Sequence, residues 1–224
     1  MIAVVFDMDG VIFDTEQLCL RCWRALAESF GVKDVEPMFR KCVGTNVNKT
    51  REIVLEAQGD DFPFEEYRVR TSELFHKIEE EEGIPQKPGV KELLIWLKER
   101  KIPVGLASST RRAAVEKELK DAGLFSYFDV IVGGDMVNQS KPHPEIYLRA
   151  CRELRIDPKE VFAVEDSYNG IRSAFAAGMH PIMVPDLLPP DKEMEQKAER
   201  IFDSLLEVKT FFESQVWEKQ CKKC

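Results

Sequence analysis

Two aspartates stand two positions apart where an apolar run stops. Ile2-Ala3-Val4-Val5-Phe6 leads into Asp7-Met8-Asp9-Gly10, with Asp14 and Glu16 close behind. Carboxylates crowded together repel and resist ionising, so such a cluster implies a cation or a reaction. Other apolar runs also end in polar groups: Pro103–Ala107 in Ser108-Ser109-Thr110, Val130–Val132, through a turn, in Lys141-Pro142, and Val161–Val164 in Glu165-Asp166. Brought together, Asp7, Asp9, Glu165 and Asp166 would set up to four negative charges against the one positive charge of Lys141. An all-oxygen donor set with few ligands suits Mg2+, which keeps several waters and binds beside phosphate. Ser108 and Ser109, at a helix N-terminus, could hold phosphoryl oxygens. Lys141 could neutralise charge that builds in a transition state. One carboxylate could then act as nucleophile and a second as general acid and base.

For these segments to meet, each apolar run must be a strand of one sheet. The runs at 2–6, 103–107, 130–132, 161–164 and 181–184 are apolar throughout, without alternation. Helical spacing appears between them, at 15–30, 90–97, 114–122, 146–154 and 170–177, and again at 205–212, where Ser204 and Glu207 have capping-box spacing. That order predicts an α/β fold with a parallel sheet covered on both faces, in which ligands bind at the carboxyl ends of the strands. Residues 31–82 are charged and helix-forming, and Gly83, Pro85, Pro88 and Gly89 mark a boundary. The expected organisation is a core of residues 1–14 and 83–224 with a helical domain, 15–82, inserted after the first strand.

The totals fit a globular chain: 224 residues, 44% hydrophobic and 32% charged. The net charge of −8 argues against nucleic acid or an anionic membrane surface as the main partner. No apolar run approaches the roughly 20 residues of a membrane span, and the N-terminus lacks the basic start of a signal peptide. A cytoplasmic monomer is the default expectation. Cys19 and Cys22, and Cys221 and Cys224, have C-x-x-C spacing, so a four-cysteine zinc site is conceivable. Reduced thiols are the expected reading. His76, His143 and His180 carry no metal-ligand spacing.

The stretch Asp7 to Glu16 closely resembles the first motif of the haloacid dehalogenase-like superfamily. Ser108, Lys141 with Pro142, and Glu165-Asp166 resemble its second, third and fourth motifs, in order and at suitable spacing, and the resemblance runs to about residue 212. It implies a Rossmann-like core with an inserted helical cap, and a Mg2+-dependent phosphatase acting on a small phosphorylated metabolite. Carried over, Asp7 matches the nucleophile and a metal ligand. Asp9 matches the general acid/base, which also gives the metal its backbone carbonyl. Ser108 and Lys141 match phosphate binders, and Asp166 matches a metal ligand, with Glu165 acting directly or through water. Asp14, Thr15 and Glu16 lie at the hinge into the cap, as helix-start residues or substrate contacts.

Phosphatases and β-phosphoglucomutases of this superfamily share such a site. The mutases place a histidine on the first cap helix and basic residues in the next cap loop. Here Cys19, Val43 and Val47 stand at those places, with Arg40, Lys41, Lys49 and Arg51 nearby. Hydrolysis is therefore the expected chemistry, with mutase activity and a catalytically silent phosphometabolite binder as alternatives. Dehalogenases and phosphonatases lack an acid at the position of Asp9.

Overall fold

Val4, Val5 and Phe6 favour extended backbone, and with Ala3 they form a strand, β1 (Ala3–Phe6), every residue of which is buried. A strand with no exposed face belongs inside a sheet. It lies centrally in the order β3-β2-β1-β4-β5-β6, beside β2 (Val104–Ala107) and β4 (Val161–Glu165). Outward from these lie β3 (Val130–Val132), β5 (His180–Met183) and β6 (Arg200–Ile201). Every adjacent pair is parallel. The computed structural model describes residues 3–43, 45 and 47–221, with 215–221 described by backbone alone.

Two units divide the chain, Met1–Phe13 with Gln86–Cys224, and Asp14–Pro85. In the second, the charged stretch resolves into α1 (Thr15–Phe30), α2 (Val35–Cys42), α3 (Val47–Gln58) and α4 (Phe64–Glu82). Their apolar stripes meet around Trp23, whose ring packs edge-on against Phe39 and Tyr67 at 5.1 and 5.4 Å. The Tyr67 hydroxyl donates to the Trp23 carbonyl at 2.9 Å. Cys19, Trp23, Phe39, Val43, Val47 and Tyr67 are among the residues lining a cavity of about 530 Å³ in this unit.

In the sheet unit the helices are α5 (Val90–Glu99), α6 (Arg112–Asp121), α7 (Glu145–Leu154), α8 (Tyr168–Ala176), α9 (Lys192–Lys197) and α10 (Leu205–Cys221). Strand side chains alternate between faces. Ala3, Val5, Val161 and Ala163 pack with Tyr147 and Ala150 of α7 and Ala174 of α8. On the other face, Phe162 meets Phe212 of α10 at 5.2 Å, and Phe212 stacks on Trp96 of α5.

The structure adds β6 and α9, which the sequence did not signal: one pairs only two residues, and the other buries only Met194. At α10 the capping box is displaced by one residue. The Glu207 N–H donates to Ser204 Oγ at 3.4 Å, but its carboxylate takes the N–H of Asp203, at 3.2 Å. Cys19, Cys22, Cys42 and Cys151 are free thiols, and burial pushes Cys19 up to about 12 and Cys42 to about 11. The proposed four-cysteine site falls outside the described residues at Cys224, and Cys221 is described by backbone alone. Among the described residues no helix is long and apolar enough to cross a membrane.

Candidate active site

The chain leaves β1 toward β2 on one side and later returns to β4 on the other, so a switch point lies at the carboxyl end of β1, where open α/β sheets bind ligands. Asp7 is the first residue past that end. Phe6 pairs with Leu106 and Val164, which sets Asp7 level with Ala107 and Glu165. Its N–H donates to the Val164 carbonyl at 2.9 Å. The following turn closes on itself, Ile12 and Phe13 donating to the Met8 carbonyl at 2.8 and 3.0 Å. Met8, Val11, Ile12 and Phe13 are buried, so the apolar residues between the acids anchor the turn. Gly10 sits at φ +74°, and a Cβ there would stand 2.3 Å from Asp166 Oδ2. With Asp166 where it stands, only glycine fits the turn at this point.

Lys141 reaches the same point from the loop before α7. Its ammonium donates to Asp7 Oδ1 at 2.7 Å, Glu165 Oε1 at 2.6 Å and the Ala107 carbonyl at 3.1 Å. An ammonium has three protons, and all are used. A phosphoryl oxygen arriving here must share or displace one of these acceptors. The loop is clamped from two sides: Glu145 accepts from the N–H groups of Asn138 and Gln139, and Ser173 Oγ of α8 donates to the His143 carbonyl at 2.7 Å.

Glu165 is fully buried. Oε1 accepts from Lys141 and, at 2.6 Å, from the Tyr147 hydroxyl. Oε2 accepts from the N–H and Oγ of Ser167 at 3.3 and 3.0 Å. A carboxylate offers about four lone-pair directions, so these donors fill it and make Glu165 the anchor of Lys141. Direct metal ligation by Glu165 would require one of these bonds to yield. Gly170 makes room for it, because a Cβ there would lie 1.9 Å from the carboxyl carbon.

The second strand delivers Ser108, which is fully buried, and Ser109, which is exposed. Ser108 Oγ accepts the N–H of Thr110 at 3.0 Å, which leaves its own proton to donate. Thr110 Oγ1 reaches Asp9 Oδ2 at 3.3 Å. The structure thus brings Asp7, Lys141, Glu165 and Asp166 together at one strand edge, and joins Asp9 to the Ser108 loop. Ser109 contributes its carbonyl to the packing of that loop on Gly134.

Burial, then repulsion from Glu165, pushes the Asp7 carboxyl up to about 7, against the pull of Lys141. Burial alone would lower Lys141, but Asp7 and Glu165 overcome it and hold the ammonium charged. Tyr147, also raised by burial and by Glu165, stays a phenol able to donate. Asp7, Glu165 and Asp166 each offer an oxygen within 4.8 Å of the others. Excess negative charge, a carboxyl resisting ionisation and an all-oxygen donor set fit a hard divalent cation such as Mg2+.

A family model described as haloacid dehalogenase-like hydrolase matches residues 4–184. The chain belongs to the haloacid dehalogenase-like hydrolases. Within and around this family it is 37% identical over 182 residues to a phosphorylated carbohydrates phosphatase of Thermotoga maritima, covering 81% of this chain and 84% of that one. It is 31% identical over 192 residues to a beta-phosphoglucomutase of Bacillus subtilis, covering 82% and 83%. Among solved structures of similar fold is a variant of CbbY from Rhodobacter sphaeroides in complex with xylulose-(1,5)bisphosphate. It aligns at a TM-score of 0.67 with 30% identity, covering 92% of this chain and 95% of that one.

Sequence reasoning missed Tyr147 and the close approach of Gly170; it placed Thr110 at the strand end and Gly10 in the turn, but not their contacts with Asp9 and Asp166. Gly170 carried a readable signal, since an isolated glycine inside a helical pattern marks a tight contact. Tyr147 read only as one more residue of the α7 stripe.

Proposed function

We propose that the protein is a Mg2+-dependent phosphatase that hydrolyses a small phosphorylated metabolite through an aspartyl-phosphate on Asp7. The observation that carries this reading is the pairing of roles at one turn: Asp7 bonded to Lys141 at 2.7 Å, and Asp9 two residues on, bonded to Thr110. The relatives named as acting on phosphorylated carbohydrates support that substrate class.

An oxygen of Asp7 attacks phosphorus, and the bond from phosphorus to the ester oxygen breaks. Asp9, as the acid, gives its proton to the departing alkoxide. Asp9, now a carboxylate, takes a proton from water as that water attacks phosphorus and releases Asp7. Lys141 and the Ser108 hydroxyl meet the phosphoryl oxygens as charge gathers on them. Asp7, Asp166 and the Asp9 carbonyl would hold Mg2+, with Glu165 beside them; the bound ion offsets the clustered carboxylates and draws charge from the phosphoryl group.

Phosphoryl transfer to a second sugar phosphate is the rival, and a named mutase relative favours it. Against it, Cys19, Val43 and Val47 line a cavity whose charged members among the described residues are Glu16 and Arg68. That is a poor grip for a second phosphate. The test is a panel of phosphorylated metabolites, with and without Mg2+, including β-glucose 1-phosphate primed with glucose 1,6-bisphosphate. Mg2+-dependent phosphate release that disappears in Asp7→Asn supports the phosphatase. Glucose 6-phosphate formed without matching phosphate release would establish the mutase.

A further inference from the structure

The Ser108 loop reaches Asp9 through the side chain of Thr110. The Thr110 hydroxyl donates to Asp9 Oδ2 at 3.3 Å. Such catalytic bonds are often long before substrate binds. Thr110 is itself held in place. Its N–H donates to Ser108 Oγ at 3.0 Å, and its carbonyl accepts the N–H of Gly134 at 2.8 Å. Gly134 runs so close behind the loop that a Cβ there would stand 2.1 Å from the Ser109 carbonyl oxygen. The Arg112 N–H is tied to Asp135 Oδ1 at 2.8 Å. A β-branched side chain has few rotamers, so a fixed backbone here fixes the direction of the hydroxyl.

We propose that Thr110 is a positioning residue for the proton-transferring acid: by donating to Asp9 Oδ2, it sets the orientation of that carboxyl. The inference rests on the phosphatase reading and on the role of Asp9 in it. The proton on Asp9 passes to the ester oxygen as the bond from phosphorus to oxygen breaks, and a proton returns to Asp9 from the attacking water in the second step. Thr110 is bonded to both Ser108 and Asp9, so the phosphoryl group and the acid are placed by the same segment.

The test compares two phosphate monoesters, a sugar phosphate with an alkoxide leaving group and p-nitrophenyl phosphate, whose phenolate departs without a proton. In Thr110→Val, kcat/KM for the alkyl ester should fall about 10- to 100-fold while that for the aryl ester changes by less than about 3-fold, a share of the usual general-acid contribution. Thr110→Ser should restore most of the loss. In an Asp9→Asn background, Thr110→Val should cost nothing further. Should the valine variant melt at a much lower temperature, Thr110→Ala serves in its place. Equal losses on both esters would mean that Thr110 only packs, and an unchanged alkyl-ester rate would mean that it does nothing; either overturns the proposal. These outcomes are distinct from failure of the phosphatase reading itself, which would appear as wild-type protein lacking Asp7-dependent release from either ester.

Discussion

Replacing Gly10 with alanine separates the backbone demand of the turn after β1 from its demand for space. The residue sits at φ +74°, where a side chain costs roughly 1 to 2 kcal/mol. The added Cβ would also stand 2.3 Å from Asp166 Oδ2 and 2.6 Å from its Cγ. Ordinary contact lies near 3.5 Å, so the carboxylate must retreat by about 1 Å. Asp166 is half-buried and can swing aside, which keeps the steric part of the stability loss small. The expected result is a loss of about 1 to 2 kcal/mol in urea unfolding of the metal-free protein, but a fall of about 10- to 100-fold in Mg2+ affinity by calorimetric titration. Gly31→Ala is the control. It has φ +65° with nothing within 4 Å of the added Cβ, so it should show a similar stability loss and unchanged Mg2+ affinity. Mg2+ binding within about twofold of wild type in Gly10→Ala would refute the assignment of Asp166 to the metal.

Two further outcomes follow from the buried charges. Asp7 holds its proton up to about 7 in the folded chain, whereas an unfolded aspartate loses it near 3.9. Between those values the native state binds more protons, so this residue's contribution to metal-free stability falls as pH rises from about 4 to 7. The unfolding free energy of wild type relative to Asp7→Asn should decline across that window, and a flat difference would show that Asp7 titrates normally. Tyr147→Phe removes a 2.6 Å donor from the buried Glu165 and should cost about 1 to 3 kcal/mol in urea unfolding; an unchanged midpoint and slope would mean that the bond adds nothing.

Much of the parallel sheet was legible because most of its strands are continuous apolar runs, and those of β1, β2 and β4 stop at a polar residue. Asp7, Ser108 and Glu165 could be placed from that rule alone, since strand ends in such a sheet share one edge. Lys141 was found from its type and its resemblance to a motif, but what it touches was not. Its three acceptors come from 134, 34 and 24 residues away, and no local pattern encodes them. Glu165 and Asp166 are adjacent in sequence, yet one is sealed under α8 by four donors and the other faces Gly10. That division depends on which side of the strand end each side chain takes. β6 and α9 escaped notice because a two-residue pairing and a six-residue helix with one buried side chain carry no periodicity to read.

The position of β1 has a consequence for how the chain is made. It is synthesised first, but Ala3 pairs with Val161 and Val4 with Val104. At roughly 5 to 20 residues per second, the strand bearing Asp7 leaves the ribosome about 10 to 30 s before its second neighbour exists. The inserted helices, Asp14–Pro85, form one uninterrupted stretch and can fold on their own contacts in that interval. Until β4 emerges, β1 thus keeps one edge bare, even after β2 has become available to pair with the other. A ribosome stalled before residue 161 would hold a chain with a finished insert and an exposed β1, the arrangement most open to chaperone capture or aggregation.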